Sequence, residues 1–312
     1  MKLLITGIHG FVGSNLATRL GDKYEIFGLD VISPDKKGVV ATFSWDDLDE
    51  AKLPDVDMII HLAAIVHDID AKTGADDCRK INVGLTQKIY DRFRQSNASK
   101  FLFFSSVAAA ADSFPDGILT EDAVAAPVGP YGESKKMAED YILGNPPADK
   151  KKVYIFRPCM IHGPGNKGNL NLLFDVVAKG FPWPLGAFEN QRTFVSIDNL
   201  AYIVDRLAQG DAPGGIYNIA DDDPVSTNRL VELICEARHT RPRILKLPKR
   251  LMTAVGAMGD ALHLPLNKAR LRKLTENYVA SNAKIKKALG IDSLPVKAED
   301  GLRSTIKSLL SR

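Results

Sequence analysis

Lys2-Leu-Leu-Ile-Thr6 runs straight into Gly7-Ile-His-Gly10-Phe-Val-Gly13, and Tyr24-Glu-Ile-Phe-Gly-Leu-Asp30 follows one helix's length later. An apolar strand, a turn with three glycines, a helix and an acid about twenty residues on form the pattern that seats a dinucleotide pyrophosphate on a helix N-terminus. Gly7 supplies a backbone conformation closed to other residues, Gly10 lets the backbone approach the phosphates, and Gly13 allows the helix to pack closely on its strand. His9, Phe11 and Val12 complete the turn, and the backbone N–H of His9 is enough to reach the pyrophosphate. The glycines alone would mark only a turn. The strand, helix and acid around them point to a dinucleotide.

Asp30 stands where a carboxylate accepts from both hydroxyls of the adenosine ribose. A 2′-phosphate would meet that charge at short range, at a cost of roughly several kcal/mol in a partly buried site. NAD is therefore expected over NADP. Lys36 and Lys37, flanked by Pro34 and Gly38, read as a solvated loop.

The 312 residues are 45% hydrophobic, enough for a substantial core, and 41 basic against 38 acidic residues leave a net charge of +3. Basic residues gather around Arg238 to Arg250, which reads as a solvated face, so no nucleic-acid partner is expected. Cys78, Cys159 and Cys235 are far apart and lack metal-ligand spacing, which argues against a disulfide framework or a metal site. A reducing, cytoplasmic setting fits. The apolar start ends at Thr6-Gly7, too soon for a signal peptide, and no stretch is long enough for a membrane span. Leu251 to Leu264, with Met252 and Met258, is the most apolar later helix; core packing is the ordinary reading, and a covered groove or partner the other.

Up to about residue 160, strands expected near 2–6, 25–30, 57–62, 100–105 and 153–157 alternate with helices near 12–20, 78–96 and 132–143. That order predicts an α/β fold with a doubly wound parallel sheet, whose ligands collect at the strand C-terminal ends. Residues 1–165 are expected to form the dinucleotide-binding domain and 166–312 a smaller, mostly helical substrate domain. The segment of about 194–220 returns to the first.

Tyr131-Gly-Glu-Ser-Lys135 follows the fourth strand, and a spacing of four puts phenol and ammonium on one helical face. There the lysine charge and a nicotinamide cation would favour phenolate, as proton transfer from a sugar hydroxyl requires. The chain here resembles the extended short-chain dehydrogenase/reductase family, in its nucleotide-sugar epimerase, dehydratase and ketoreductase branch, whose first domain is a Rossmann fold. The resemblance rests on the glycine turn, Asp30, His61-Leu-Ala-Ala64, Asn82, Phe104-Ser-Ser106, Tyr131 to Lys135, and Arg157-Pro158 through Gly163-Pro164. It implies Tyr131 as base and acid, Lys135 on the nicotinamide ribose, and Ser106 on the reacting sugar oxygen. It also implies Asp47 and Leu48 near the adenine, with Leu62, Ala63, Ala64, Ser105, Arg157 and Pro158 lining NAD. Asn82 takes a structural place, and a homodimer through helices 78–96 and 132–143 is expected.

On the substrate side, Lys167, Asn169 at a helix start and Arg192 offer the cations and helix N-terminus that a diphosphate needs, while the segment Trp183 to Arg192, with Pro184 and Leu185, resembles the family's nucleotide-binding strand and loop, with Arg192 at the diphosphate; His67 and Arg272 are further candidates. A UDP-linked sugar is the expected ligand. Val107-Ala108-Ala109 replaces the acidic pair that dehydratases carry after the catalytic hydroxyl, so 4,6-dehydration is not expected. A 4-epimerase leads, with a 4-ketoreductase almost level and an inactive dinucleotide-binding sensor third. His162 stands where a tyrosine is usual, either as a loop residue shaping the pocket or in a proton relay.

Overall fold

The computed structural model describes residues 1–32, 34–50, 52–65, 75–148, 150–166, 168–262 and 267–311. Its first half holds β1 (Lys2–Thr6), α1 (Phe11–Leu20), β2 (Glu25–Leu29), β3 (Ala41–Phe43), α2 (Trp45–Asp49), β4 (Met58–His61), α3 (Ala75–Gln95), β5 (Lys100–Phe104), β6 (Phe114–Leu119), α4 (Gly129–Gly144) and β7 (Lys152–Pro158). There follow β8 (Met160–His162), α5 (Asn169–Ala178), β9 (Phe194–Ser196), α6 (Ile197–Gln209), β10 (Gly215–Ile219), α7 (Thr227–Ala237), α8 (Lys249–Ala261), α9 (Lys268–Thr275), β11 (Tyr278–Ala280), α10 (Ala283–Leu289) and α11 (Ala298–Leu310).

Seven strands form one parallel sheet in the order β10-β7-β5-β4-β1-β2-β3. The strand interiors are mostly apolar because both faces are covered. Leu3, Ile5, Met58, Ile60, Leu102 and Phe156 turn to the side of α1 and α6. Alternate residues Leu4, Ile59, Phe101, Phe103 and Ile155 turn to the side of α3 and α4. A separate core joins α5, α7 and α11 through Leu173, Leu230, Ile234 and Leu302.

Three short pairings differ from the sequence reading. Of the segment of about 194–220 expected to return to the first domain, β9 pairs with β8 outside the main sheet, whereas β10 joins β7. β6 pairs with β11, and its Pro115 and Gly117 hid it from any strand pattern. β3 extends the sheet edge, and five-residue α2 is held by the reciprocal bonds of Ser44 and Asp47.

Candidate functional site

Every parallel strand feeding the site ends at the same edge, which brings Gly7, Asp30, Leu62, Ser105 and Pro158 together from distant parts of the chain. Gly7 sits at φ +70°, where a side chain would be strained, and a Cβ there would lie 3.0 Å from the Ala63 nitrogen. A Cβ on Gly13 would stand 2.3 Å from the Gly7 carbonyl oxygen, so α1 can approach the turn only with glycine there. Gly10, the N-cap, has no side chain to cap α1, and its first turn carries no acid. Phe11, Val12 and Gly13 therefore offer N–H groups to an anion. His9 Nε2 is buried without a partner among the described residues. An orphaned polar atom beside an uncapped helix start fits a phosphate-bearing ligand.

Asp30 accepts from the backbone N–H of His9 at 2.9 Å and of Val31 at 2.8 Å, which aims the carboxylate while leaving lone pairs for hydroxyls. Lys36 is not simply a loop cation: its ammonium donates to Ser14 Oγ on α1 at 2.9 Å. Asp47 spends one carboxylate oxygen on Ser44, and the two Ser44 bonds hold its pKa below the usual value. Leu48 lies in the sheet's second core.

Leu62, Ala63 and Ala64 are half-buried at the end of β4, where Leu62 and Ala63 each donate to Thr6 Oγ1 at 3.1 Å. That hydroxyl therefore gives its own proton to His61 Nδ1, 2.7 Å away. His61 Nε2–H donates to Thr86, which donates to the Asn82 carbonyl. Burial holds the His61 pKa well below the usual value, so the ring is a neutral link. Asn82 then bonds both backbone groups of Ile65 and reaches Ser134, whose hydroxyl donates to the Tyr131 carbonyl. A buried chain of hydrogen bonds thus joins the glycine turn to the start of α4.

Gly129 and Pro130 open α4, and a Cβ on Gly132 would lie 2.6 Å from the Ala108 carbonyl oxygen. This close approach sets Tyr131 against Ser106, the N-cap of a one-turn 3₁₀ helix over Val107–Ala109. The Ser106 hydroxyl bonds the Tyr131 phenol and pulls its pKa down, but burial is the larger effect and pushes it up to about 12. Lys135 donates to the Phe104 carbonyl at 2.8 Å and lies 6.0 Å from the Tyr131 ring centre. Burial brings its ammonium down to about 7, opposed by the charge of Glu139. The expectation that Lys135 acidifies the phenol is thus corrected: spacing predicts a neighbouring charge, and desolvation outweighs it.

Glu139 escaped the sequence reading. It is fully buried, takes a bidentate bond from Arg157 at 2.9 and 2.6 Å, and accepts from Ser105 at 2.5 Å. Arg157 and Ser105, expected along the coenzyme, point their polar groups inward at this carboxylate, while Pro158 ends β7. The available signal was register, because 131, 135 and 139 are four apart on one helix face.

On the substrate side, Arg192 donates to the Lys273 carbonyl at 2.8 Å and its guanidinium lies 5.7 Å from the Tyr278 ring centre. Tyr278, also unforeseen, donates to the Ala111 carbonyl at 2.6 Å and so ties β11 to the turn after Ser106. Arg272 pairs with Asp112. Leu185 is buried in the separate core of α5, α7 and α11, and Pro184 is half-buried beside it. Asn169 opens α5; His67 and Lys167 lie outside the described residues. His162 bonds Thr305 of α11 at 2.9 Å, has Asp221 3.6 Å from its Nε2, and is sealed from solvent.

The model of the NAD dependent epimerase/dehydratase family matches residues 3–220. The chain belongs to that family. Over 242 residues this epimerase/dehydratase chain is 31% identical to the UDP-glucose 4-epimerase of Vibrio cholerae, covering 74% of each. It is 26% identical over 295 residues to N-acetyl-alpha-D-glucosaminyl-diphospho-ditrans,octacis-undecaprenol 4-epimerase of Escherichia coli O157:H7, covering 92% of this chain and 85% of that one. Among solved structures, MoeE5 in complex with UDP-glucose and NAD matches 100% of this chain and 99% of its own at a TM-score of 0.77 and 21% identity, a likeness of fold. The chain is thus an NAD-dependent enzyme of the epimerase/dehydratase family.

Proposed function

We propose that the protein is an NAD-dependent 4-epimerase of a nucleotide sugar, a UDP-hexose. The observation that carries this reading is the Tyr131 phenol bonded to Ser106, with Lys135 one turn on, beside a glycine turn built for a pyrophosphate. The nicotinamide of NAD supplies the acceptor, and later the donor, of the C4 hydride.

Tyr131 takes the 4-hydroxyl proton as the C4–H bond gives up its hydride, and returns a proton when hydride is delivered to the opposite face. Ser106 donates to the sugar oxygen and so holds it against the phenol. Lys135, fixed by Phe104, holds the nicotinamide ribose. Gly7 to Gly13 seat the pyrophosphate and Asp30 the adenosine ribose. Residues 166–312, apart from the returning segment, take the nucleotide, with Arg192 on its diphosphate; its planar fork suits paired phosphate oxygens. The buried, apolar Val107 and Ala109 offer no acid for dehydration. A homodimer through α3 and α4 is part of the same reading, with Met137 and Leu143 of α4 exposed.

The test is incubation of the purified protein and NAD with UDP-glucose or UDP-N-acetylglucosamine. The expected result is approach to a mixture of C4 epimers from either side without accumulation of NADH. Net consumption of NADH by a UDP-4-keto-6-deoxy sugar, with no epimer formed, would replace the epimerase by the reductase. Retained NAD with no reaction on any nucleotide sugar would leave the sensor.

A further inference from the structure

The basic residues first noted around Arg238 continue well past Arg250. Between Arg238 and Thr275 ten Lys and Arg face a single acid, Asp260, a formal +9 in a chain whose total is only +3, so the rest of the molecule is net negative. Arg272 and Lys273 are near Asp112, but Arg243, Lys246, Lys249, Arg250 and Lys268 are exposed and form no ion pair among the described residues. Such a one-sided field is suited to an anionic surface.

Within this charge lies an apolar stripe. On α8 and its C-cap, Leu251, Ala254, Met258 and Leu262 follow one another at steps of three, four and four residues, which keeps them on one helical face. All four are exposed, and the three larger side chains are each at least half exposed. Met252, Gly256 and Gly259 on the neighbouring face are buried, with Gly256 close to Leu271 of α9. α8 therefore rests on the protein along one face while a second apolar face meets solvent. Its thirteen residues are too few to cross a bilayer.

We propose that this face of α8, with the basic segments on either side, lies on an anionic phospholipid bilayer. The stripe enters the headgroup boundary while the lysines and arginines meet lipid phosphates, the arrangement of an interfacial amphipathic helix. Nucleic acid would use the charge but leave the apolar stripe in water, and a second copy of this chain would bring like charge against like. The surface adjoins the proposed substrate side: Trp183 donates to the Arg243 carbonyl at 2.8 Å, and Leu245 returns a bond to Trp183 at 2.8 Å. Docking there would place the Trp183–Arg192 loop next to the membrane. The proposal does not depend on which reaction the site performs.

The test is co-sedimentation of the full chain with vesicles of phosphatidylglycerol in phosphatidylcholine, set against phosphatidylcholine alone. About tenfold or greater preference for the anionic vesicles is expected, weakening as salt rises. The variant Leu251→Ser/Met258→Ser/Leu262→Ser should lose about tenfold in binding. Its unfolding temperature and its NAD affinity should stay as they are. The variant Lys249→Gln/Arg250→Gln/Lys268→Gln should lose the preference for anionic lipid. Absence of partition, or binding untouched by the serine variant, would overturn the proposal. So would equally tight binding to duplex DNA, or a wild-type dimer that the serine variant dissociates, which would assign the face to self-association.

Discussion

Tyr131→Phe is expected to lower kcat by about two to four orders of magnitude, the usual worth of a positioned acid–base group. The substitution removes only an oxygen, so NAD affinity and thermal unfolding should change little. Ser106 loses the phenol but keeps its bond from Ala108 N–H, which continues to hold the turn. Because burial outweighs the Ser106 bond and leaves the phenol at about 12, the wild-type enzyme needs a nearby positive charge to form phenolate near neutrality. A steady-state assay with equilibrium NAD binding separates the two effects. Turnover within about tenfold of wild type would remove Tyr131 from the proton transfer.

Glu139→Gln carries the second large effect. The buried carboxylate balances Arg157 and opposes the desolvation of Lys135, and an amide can keep hydrogen bonds but not the charge. Leaving a buried guanidinium without its anion costs about 3–5 kcal/mol, measurable as a lower denaturant midpoint. A second readout tests the electrostatics directly. The Lys135 pKa, already depressed to about 7, should fall further without Glu139, so the ammonium is lost at lower pH and the alkaline limb of the activity profile moves down. The double variant Glu139→Gln/Arg157→Met, which removes the stranded cation, should regain most of the stability but not the pH profile. An unchanged profile in both variants would reduce Glu139 to a structural ion pair.

The parts of the site that were legible in the sequence are those whose chemistry is local. Gly7, Gly10, Gly13 and Asp30 lie within one strand-helix-strand unit, and each answers a steric or electrostatic need that few other residues meet. The doubly wound sheet was equally plain, because strands buried on both faces are short apolar runs. Glu139 was hidden because its partner Arg157 is on another element, and a glutamate within a helix ordinarily faces solvent. Tyr278 reaches Ala111 across more than half the chain, beyond any local pattern. The phenol's environment was misjudged for a related reason: four-residue spacing fixes proximity on a helix, while desolvation depends on what the fold packs around it. Arg157 and Ser105 show the converse, since their position at the strand ends was right and the direction of their polar groups was a tertiary outcome.

The claim on which the chemistry rests is that the turn from Gly7 to Gly13, with Asp30, holds NAD. Calorimetric titration of the purified chain with NAD, NADH and NADP tests it most directly. The account predicts saturable binding of both redox forms of NAD, at least about tenfold tighter than NADP, whose 2′-phosphate would face Asp30. No affinity for either form of NAD, or tighter binding of NADP, would contradict it.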